Sequence, residues 1–113
     1  MSLEIIKKVY EEKSKNRERT RVETLERVKT ALAELSEEVS FKKAYIFGSV
    51  TTPYRFTDRS DMDLAFSALA EDRLFYVTGR LSRSLERDVN VVDLDELRFR
   101  EKILKTGVEW KKS

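Results

Sequence analysis

Two runs and the loop between them decide how this chain is read: Ala44-Tyr45-Ile46-Phe47-Gly48-Ser49, the polar loop Val50 to Ser60, and Asp61-Met62-Asp63-Leu64-Ala65-Phe66. Both runs are short and apolar, with the composition of strands. Gly48 closes the first and permits a tight turn with close backbone approach to a ligand. In the second, Asp61 and Asp63 alternate with Met62 and Leu64. Residues two apart on a strand share a face, so the carboxylates lie side by side, about 7 Å apart, while Met62 and Leu64 turn to a core. Magnesium prefers oxygen ligands and is commonly held by a couple of carboxylates together with substrate phosphates. The stretch reads as a phosphate turn facing a metal site.

Upstream, residues 3–39 contain no Gly or Pro and are rich in Glu, Lys, Arg and Leu, which predicts helix. Leu3, Ile6 and Tyr10 form one apolar stripe, flanked by Ile5 and Val9. Val22, Leu25, Val28, Leu32, Leu35 and Val39 form a second. Between the stripes, Lys13 to Arg21 has no apolar residue. Two readings stand: a new helix capped there, with Thr20 and Glu23 as a capping box, or one long helix across the gap. The second stripe fits packing on a sheet, and the stripes together also suit a seam for a partner or a second copy. Arg17, Arg19 and Arg21 are interspersed with Glu18 and Glu23, the pattern of a solvated face.

Downstream, residues 72–86 read as a helix with Leu74, Val77, Leu81 and Leu85 inward, and its Gly79 suggests close packing on the sheet. Val89 to Leu94 reads as a third strand. Asp95 to Thr106 reads as a helix with Leu97, Ile103 and Leu104 in the core and Gly107 at its C-terminal cap. Val108 to Trp110 reads as a short edge strand. Asp93 and Asp95 repeat the Asp-x-Asp spacing without an upstream Gly-Ser, as a solvated strand edge does.

Composition narrows the chemistry. The 113 residues suit one domain with a single core. Without Cys or His, disulfides, thiolate chemistry, imidazole acid–base catalysis and the common zinc sites are excluded, so a catalytic metal must take oxygen ligands. Charged residues are 39% of the chain but the net charge is only +2, which argues against a nucleic-acid-binding surface. No run has the length of a membrane span and no signal-peptide pattern opens the chain, so a cytoplasmic protein is the default expectation.

Gly48-Ser49, a spacer, and Ser60-Asp61-Met62-Asp63-Leu64 resemble the signature of the minimal nucleotidyltransferases of the DNA polymerase beta nucleotidyltransferase superfamily, and the resemblance covers roughly residues 42–110. The fold expected is α+β: a small mixed sheet with helices packed on it in residues 41–113, preceded by a helical extension in residues 1–40. The resemblance implies transfer of a nucleotidyl group, AMP above all, from a nucleoside triphosphate to a hydroxyl. It implies Gly48 and Ser49 at the β- and γ-phosphates, with Ser60 as a further nucleotide contact, and Asp61 and Asp63 on Mg²⁺; the loop's own Arg55 and Arg59 carry the charge that suits a triphosphate. It also implies an antitoxin role beside a helical protein of the HEPN type.

Three features depart from the family pattern. Pro53 stands where a Gly is common, and the loop is one residue longer than the commonest spacing. In the run Val89-Asn90-Val91-Val92-Asp93-Leu94, Asn90 falls where a third catalytic carboxylate is expected. Asn cannot accept a proton as a general base. Either the register differs and Asp88 serves, or Asn90 weakens the chemistry. The alternative function is therefore a catalytically weak or inactive nucleotide-binding module that acts by contact with a protein partner.

Overall fold

The runs on either side of the polar loop pair with each other. In this computed structural model, which describes residues 2–112, strand β1 (Lys43–Phe47) runs antiparallel to β2 (Met62–Ser67), in register from Lys43 opposite Ser67 to Phe47 opposite Asp63. β2 in turn lies parallel to β3 (Val89–Asp93), and helix α2 (Leu74–Leu85) makes the crossover that parallel neighbours require. β4 (Val108–Lys111) closes the other edge, antiparallel to β1. The order β3-β2-β1-β4 makes a small mixed sheet, and with α1 (Leu3–Ser36) and α3 (Arg100–Thr106) it gives the expected α+β architecture.

Strand alternation divides the side chains between two faces. Ala44, Ile46, Met62, Leu64 and Phe66 turn to one face, covered by Val28, Leu32 and Leu35 of α1 and by Val77, Leu81 and Leu85 of α2. These side chains are buried, and the larger ones each stabilise the fold by about 1.5–3 kcal/mol. On the other face, Tyr45 and Ala65 meet Leu94 and Ile103, with Phe47, Val92 and Leu97 half-buried beside them. Phe41, just before β1, packs edge-on against Phe66, with ring centroids 5.0 Å apart.

Helix α1 is unbroken, which decides between the two readings of the N-terminal segment. Thr20 does not cap a second helix; its hydroxyl donates back to the Asn16 carbonyl at 3.0 Å. The helix ends at Ser36, and Val39 is buried in the turn that follows. Of the second stripe, Val22 stays exposed and Leu25 is only partly buried. Leu3, Ile6 and Tyr10 of the first stripe are exposed at 80%, 51% and 67%. Thirty-four residues of α-helix span about 51 Å at 1.5 Å each, close to the 57 Å long axis of the molecule.

Two other expectations are corrected. The single helix expected over 95–106 is interrupted: Leu94–Glu96 forms a 3₁₀ turn, and α3 begins only at Arg100. The carboxylates that open this segment hold the turn in place, with Asp93 Oδ1 accepting from the Asp95 amide and Asp95 Oδ2 from the Ala68 amide, both within 3.1 Å. Leu104 consequently lies outside the core, about half exposed.

Gly107 caps α3 as expected, in an extended conformation, whereas Gly79 differs from expectation. The small size of Gly107 matters because an added Cβ would lie 2.7 Å from the Ile103 carbonyl oxygen and 3.2 Å from that of Ile46. Gly79 meets no such limit. An added Cβ would sit 3.8 Å from Arg83 Nη1, in ordinary contact and away from the sheet. Gly79→Ala is therefore expected to stabilise the protein by about 0.5–1 kcal/mol through helix propensity. A urea midpoint that fails to rise would show a constraint at Gly79 beyond the room around its Cα.

Candidate active site

The carboxylates stand where the β1 and β2 ends meet the loop. Met62 and Leu64 are buried, so the alternate residues Asp61 and Asp63 turn to the opposite side. Asp63 is half-buried within β2, and Asp61 is exposed one residue before it. Phe47 lies across from Asp63 on β1, and Asn90 lies across from it on β3.

Gly48 follows at φ +85°, a conformation that side chains rarely adopt. A Cβ there would collide with Asp63 Oδ2. The turn thus needs glycine twice, for its dihedral and for the carboxylate against it. Ser49–Thr51 continues as a 3₁₀ turn, and the Ser49 hydroxyl has no protein partner among the described residues.

Asn90 stands directly beside Asp63. Its Nδ2 donates to Asp63 Oδ1 at 3.0 Å, the orientation that a carboxylate neighbour dictates. Asp88 precedes β3 and is tied to β2 through its backbone, its carbonyl accepting from the Met62 amide at 2.9 Å. The residue in register with Asp63 is therefore Asn90, not Asp88. Among the described residues, no group of three or more acidic, His or Cys side chains converges on a metal position. Asp61 and Asp63 offer the two carboxylates and the oxygen-only chemistry that suit one Mg²⁺ shared with phosphates. Asn90 brings a neutral amide where a second ion would need negative charge.

Two arginines shape the loop: Arg21, expected on a solvated helix face but partly buried against the loop, and Arg87, to which the sequence reading gave no role. Glu18 of α1 accepts from the Tyr54 amide at 2.8 Å and from Arg21 Nε at 2.8 Å, while Arg21 Nη1 donates to the Val50 carbonyl at 3.0 Å. The Arg21 hydrogen bond, followed by the Tyr54 amide, holds the Glu18 carboxyl below its ordinary value, and Glu18 in turn raises Arg21. Tyr54 sits in the left-handed region at φ 65°. Farther along, the Arg87 guanidinium lies 4.4 Å from the Phe56 ring centre and donates to the carbonyls of Ser60 at 2.6 Å and Thr57 at 3.3 Å. Burial pushes Arg87 below its usual value. The i, i+3 spacing of Glu18 and Arg21 inside the polar gap was the available signal for the first clamp; nothing local marks Arg87.

The remaining candidates divide. Ser60 Oγ accepts from the Thr57 amide at 3.0 Å, within the turn that Arg87 holds. Arg55 is exposed, with no ion-pair partner among the described residues, and its amide donates to the Thr52 carbonyl.

A family model described as polymerase beta, nucleotidyltransferase matches residues 26–111. The chain belongs to this nucleotidyltransferase family. No curated protein matches it in sequence. Among solved structures, it is similar to a chain of a toxin–antitoxin crystal structure with AMP-PNP, at 22% identity and TM-score 0.62, over 75% of this chain and 74% of that one. It is similar to a chain of a mutant of the toxin–antitoxin MntA-HpeT, at 20% identity and TM-score 0.60, over the same shares of both chains, 75% and 74%. A candidate nucleotidyltransferase from Sulfolobus solfataricus aligns at 25% identity and TM-score 0.55, over 83% of this chain and 86% of that one. The first two likenesses concern the fold alone. The family match begins within α1, so residues 3–25 of this nucleotidyltransferase lie before it.

The Glu18 clamp joins that leading part of α1 to the loop beside the carboxylates. Glu18 and Arg21 lie at the surface and are partly covered, so Glu18→Ala is expected to lower the unfolding midpoint only slightly. Hydrogen exchange of the Tyr54 amide should nevertheless quicken severalfold. An unaltered Tyr54 exchange rate would show that the loop holds its own shape.

Proposed function

We propose that this nucleotidyltransferase moves AMP from ATP to a hydroxyl, and that its acceptor is a helical HEPN-type protein for which it serves as antitoxin. One observation carries the reaction: the Asp63 carboxylate is fixed between Gly48 and Asn90, beside a turn whose Ser49 hydroxyl has no protein partner among the described residues. The toxin–antitoxin neighbours, one with AMP-PNP, are consistent with an adenine nucleotide and a toxin partner by analogy of fold.

In this reading, Gly48 and Ser49 receive the β- and γ-phosphates through backbone N–H groups and the hydroxyl, and Asp61 and Asp63 hold the nucleotide's Mg²⁺. When bound, Mg²⁺ supplies neutralisation of phosphate charge as the transition state forms. The acceptor oxygen bonds to the α-phosphorus, the bond from that phosphorus to the bridging oxygen breaks, and pyrophosphate leaves. The acceptor's proton passes to solvent, because Asn90 has no basic atom to take it. Losing one general base commonly costs ~10²- to 10⁴-fold in rate, so transfer is expected to be slow.

The hydrogen bond from Asn90 to Asp63 also favours a second reading, a nucleotide-binding module that silences its partner by contact. In either case we assign partner contact or self-association to the helical extension, within residues 1–40, where Leu3, Ile5, Ile6, Val9 and Tyr10 are exposed. Residues 41–113 would carry the nucleotide site.

Calorimetry with ATP and Mg²⁺ should detect binding that Asp63→Asn weakens by about tenfold, or about 1.4 kcal/mol. Equal affinity in wild type and variant would remove Asp63 from the site. Incubation with α-labelled ATP, Mg²⁺ and a helical protein of the HEPN type should label that protein. Binding without any labelling would leave the contact reading in its place.

A further inference from the structure

A nucleoside triphosphate and two carboxylates bring together more negative charge than one divalent ion offsets, so such a site calls for a protein cation at the phosphate turn. The loop does not supply an ordered one: Arg55 and Arg59 are exposed and hydrogen-bonded only through their backbone amides. A lysine of α3, Lys102, lies beside the turn. A cavity of about 180 Å³ adjoins the turn, lined by Phe47, Gly48, Phe99, Lys102, Ile103 and Thr106. Gly48 and Phe47 are also the residues that press on and lie opposite Asp63, so the cavity opens on the same face as the carboxylate.

The fold fixes Lys102 at this place. Ile103, the next residue, is buried against the Asp63 face of the sheet. The end of α3 is drawn onto β1 by Gly107, whose amide donates to the Ile103 carbonyl at 2.7 Å and whose missing side chain lets the Ile46 carbonyl come close. The Lys102 backbone is held from both sides, its amide donating to the Phe99 carbonyl and its carbonyl accepting from the Thr106 hydroxyl at 2.7 Å. Its ammonium has no ion-pair partner among the described residues. A lysine ammonium on a flexible four-carbon stem suits a phosphate as a mobile point charge.

We infer that Lys102 is a phosphate-binding residue, its ammonium pairing with the terminal phosphates of the nucleotide at Gly48 and Ser49 and with the pyrophosphate that leaves. This rests on the nucleotide reading above and adds a residue to it. Lys102 acts through charge on the polyphosphate alone. Its removal should therefore weaken ATP and pyrophosphate while sparing AMP, and the effect should shrink as salt screens the pair.

Calorimetry in the presence of Mg²⁺, with ATP, pyrophosphate and AMP as probes, tests this on wild type, Lys102→Ala, Lys102→Arg and Lys105→Ala. Lys105 is an exposed α3 lysine that does not line the cavity, and it serves as the control. The expected result is a roughly tenfold loss of ATP and pyrophosphate affinity in Lys102→Ala, with Lys102→Arg and Lys105→Ala near wild type. Wild-type affinity in Lys102→Ala, or an equal loss with AMP or in Lys105→Ala, would overturn the role of Lys102. A wild-type protein that binds none of the three probes would instead overturn the nucleotide reading on which it rests.

Discussion

No side chain fits at position 48. The backbone there turns at φ +85°, and Asp63 Oδ2 occupies the space a Cβ would need. This close approach fixes the β1 end against β2, because Phe47 and Asp63 are the last paired residues of that ladder. From it follow the exit direction of the loop and the position of the carboxylate. Burial of Met62 and Leu64 on the other face locks the same register, since a slip of one residue would carry both carboxylates into the core.

Around that point the chain uses charge at long range to shape its loop. α1 reaches the loop through Glu18 and Arg21, and the residues before β3 reach it through Arg87. Both arginines donate to backbone carbonyls, so they hold the path of the chain. The N-terminal part of α1 projects beyond the sheet with apolar residues exposed, and Glu18 connects that projection to the loop beside the carboxylates.

The strands were legible because their alternation is local: Met62 and Leu64 against Asp61 and Asp63, and Asn90 in the register that the run 89–94 implied. The helices were less so. Lys13 to Arg21 looked like a break, yet it contains no residue that stops a helix, and its Glu18 and Arg21 are spent on tertiary bonds. The segment 94–106 looked continuous, but Asp93 and Asp95 satisfy backbone amides and favour a turn over helix. Arg87 left no trace in the sequence because its partners, Phe56, Thr57 and Ser60, are about thirty residues away. Ser60 reads as part of the motif, while its hydroxyl bonds within the 57–60 turn.

Asn90 gives the site its particular character. It keeps Asp63 oriented by a hydrogen bond of 3.0 Å and adds neither charge nor a basic atom. In the proposed reaction, holding the nucleotide and reacting it are therefore separable demands on this site. The most direct test is the single-turnover rate of AMP transfer in Asn90→Asp, measured with the ATP dissociation constant on the same preparation. A rise in rate of ~10²-fold or more, with ATP affinity within about threefold of wild type, is the predicted result. An unchanged or slower rate in Asn90→Asp, at undiminished ATP affinity, would contradict it.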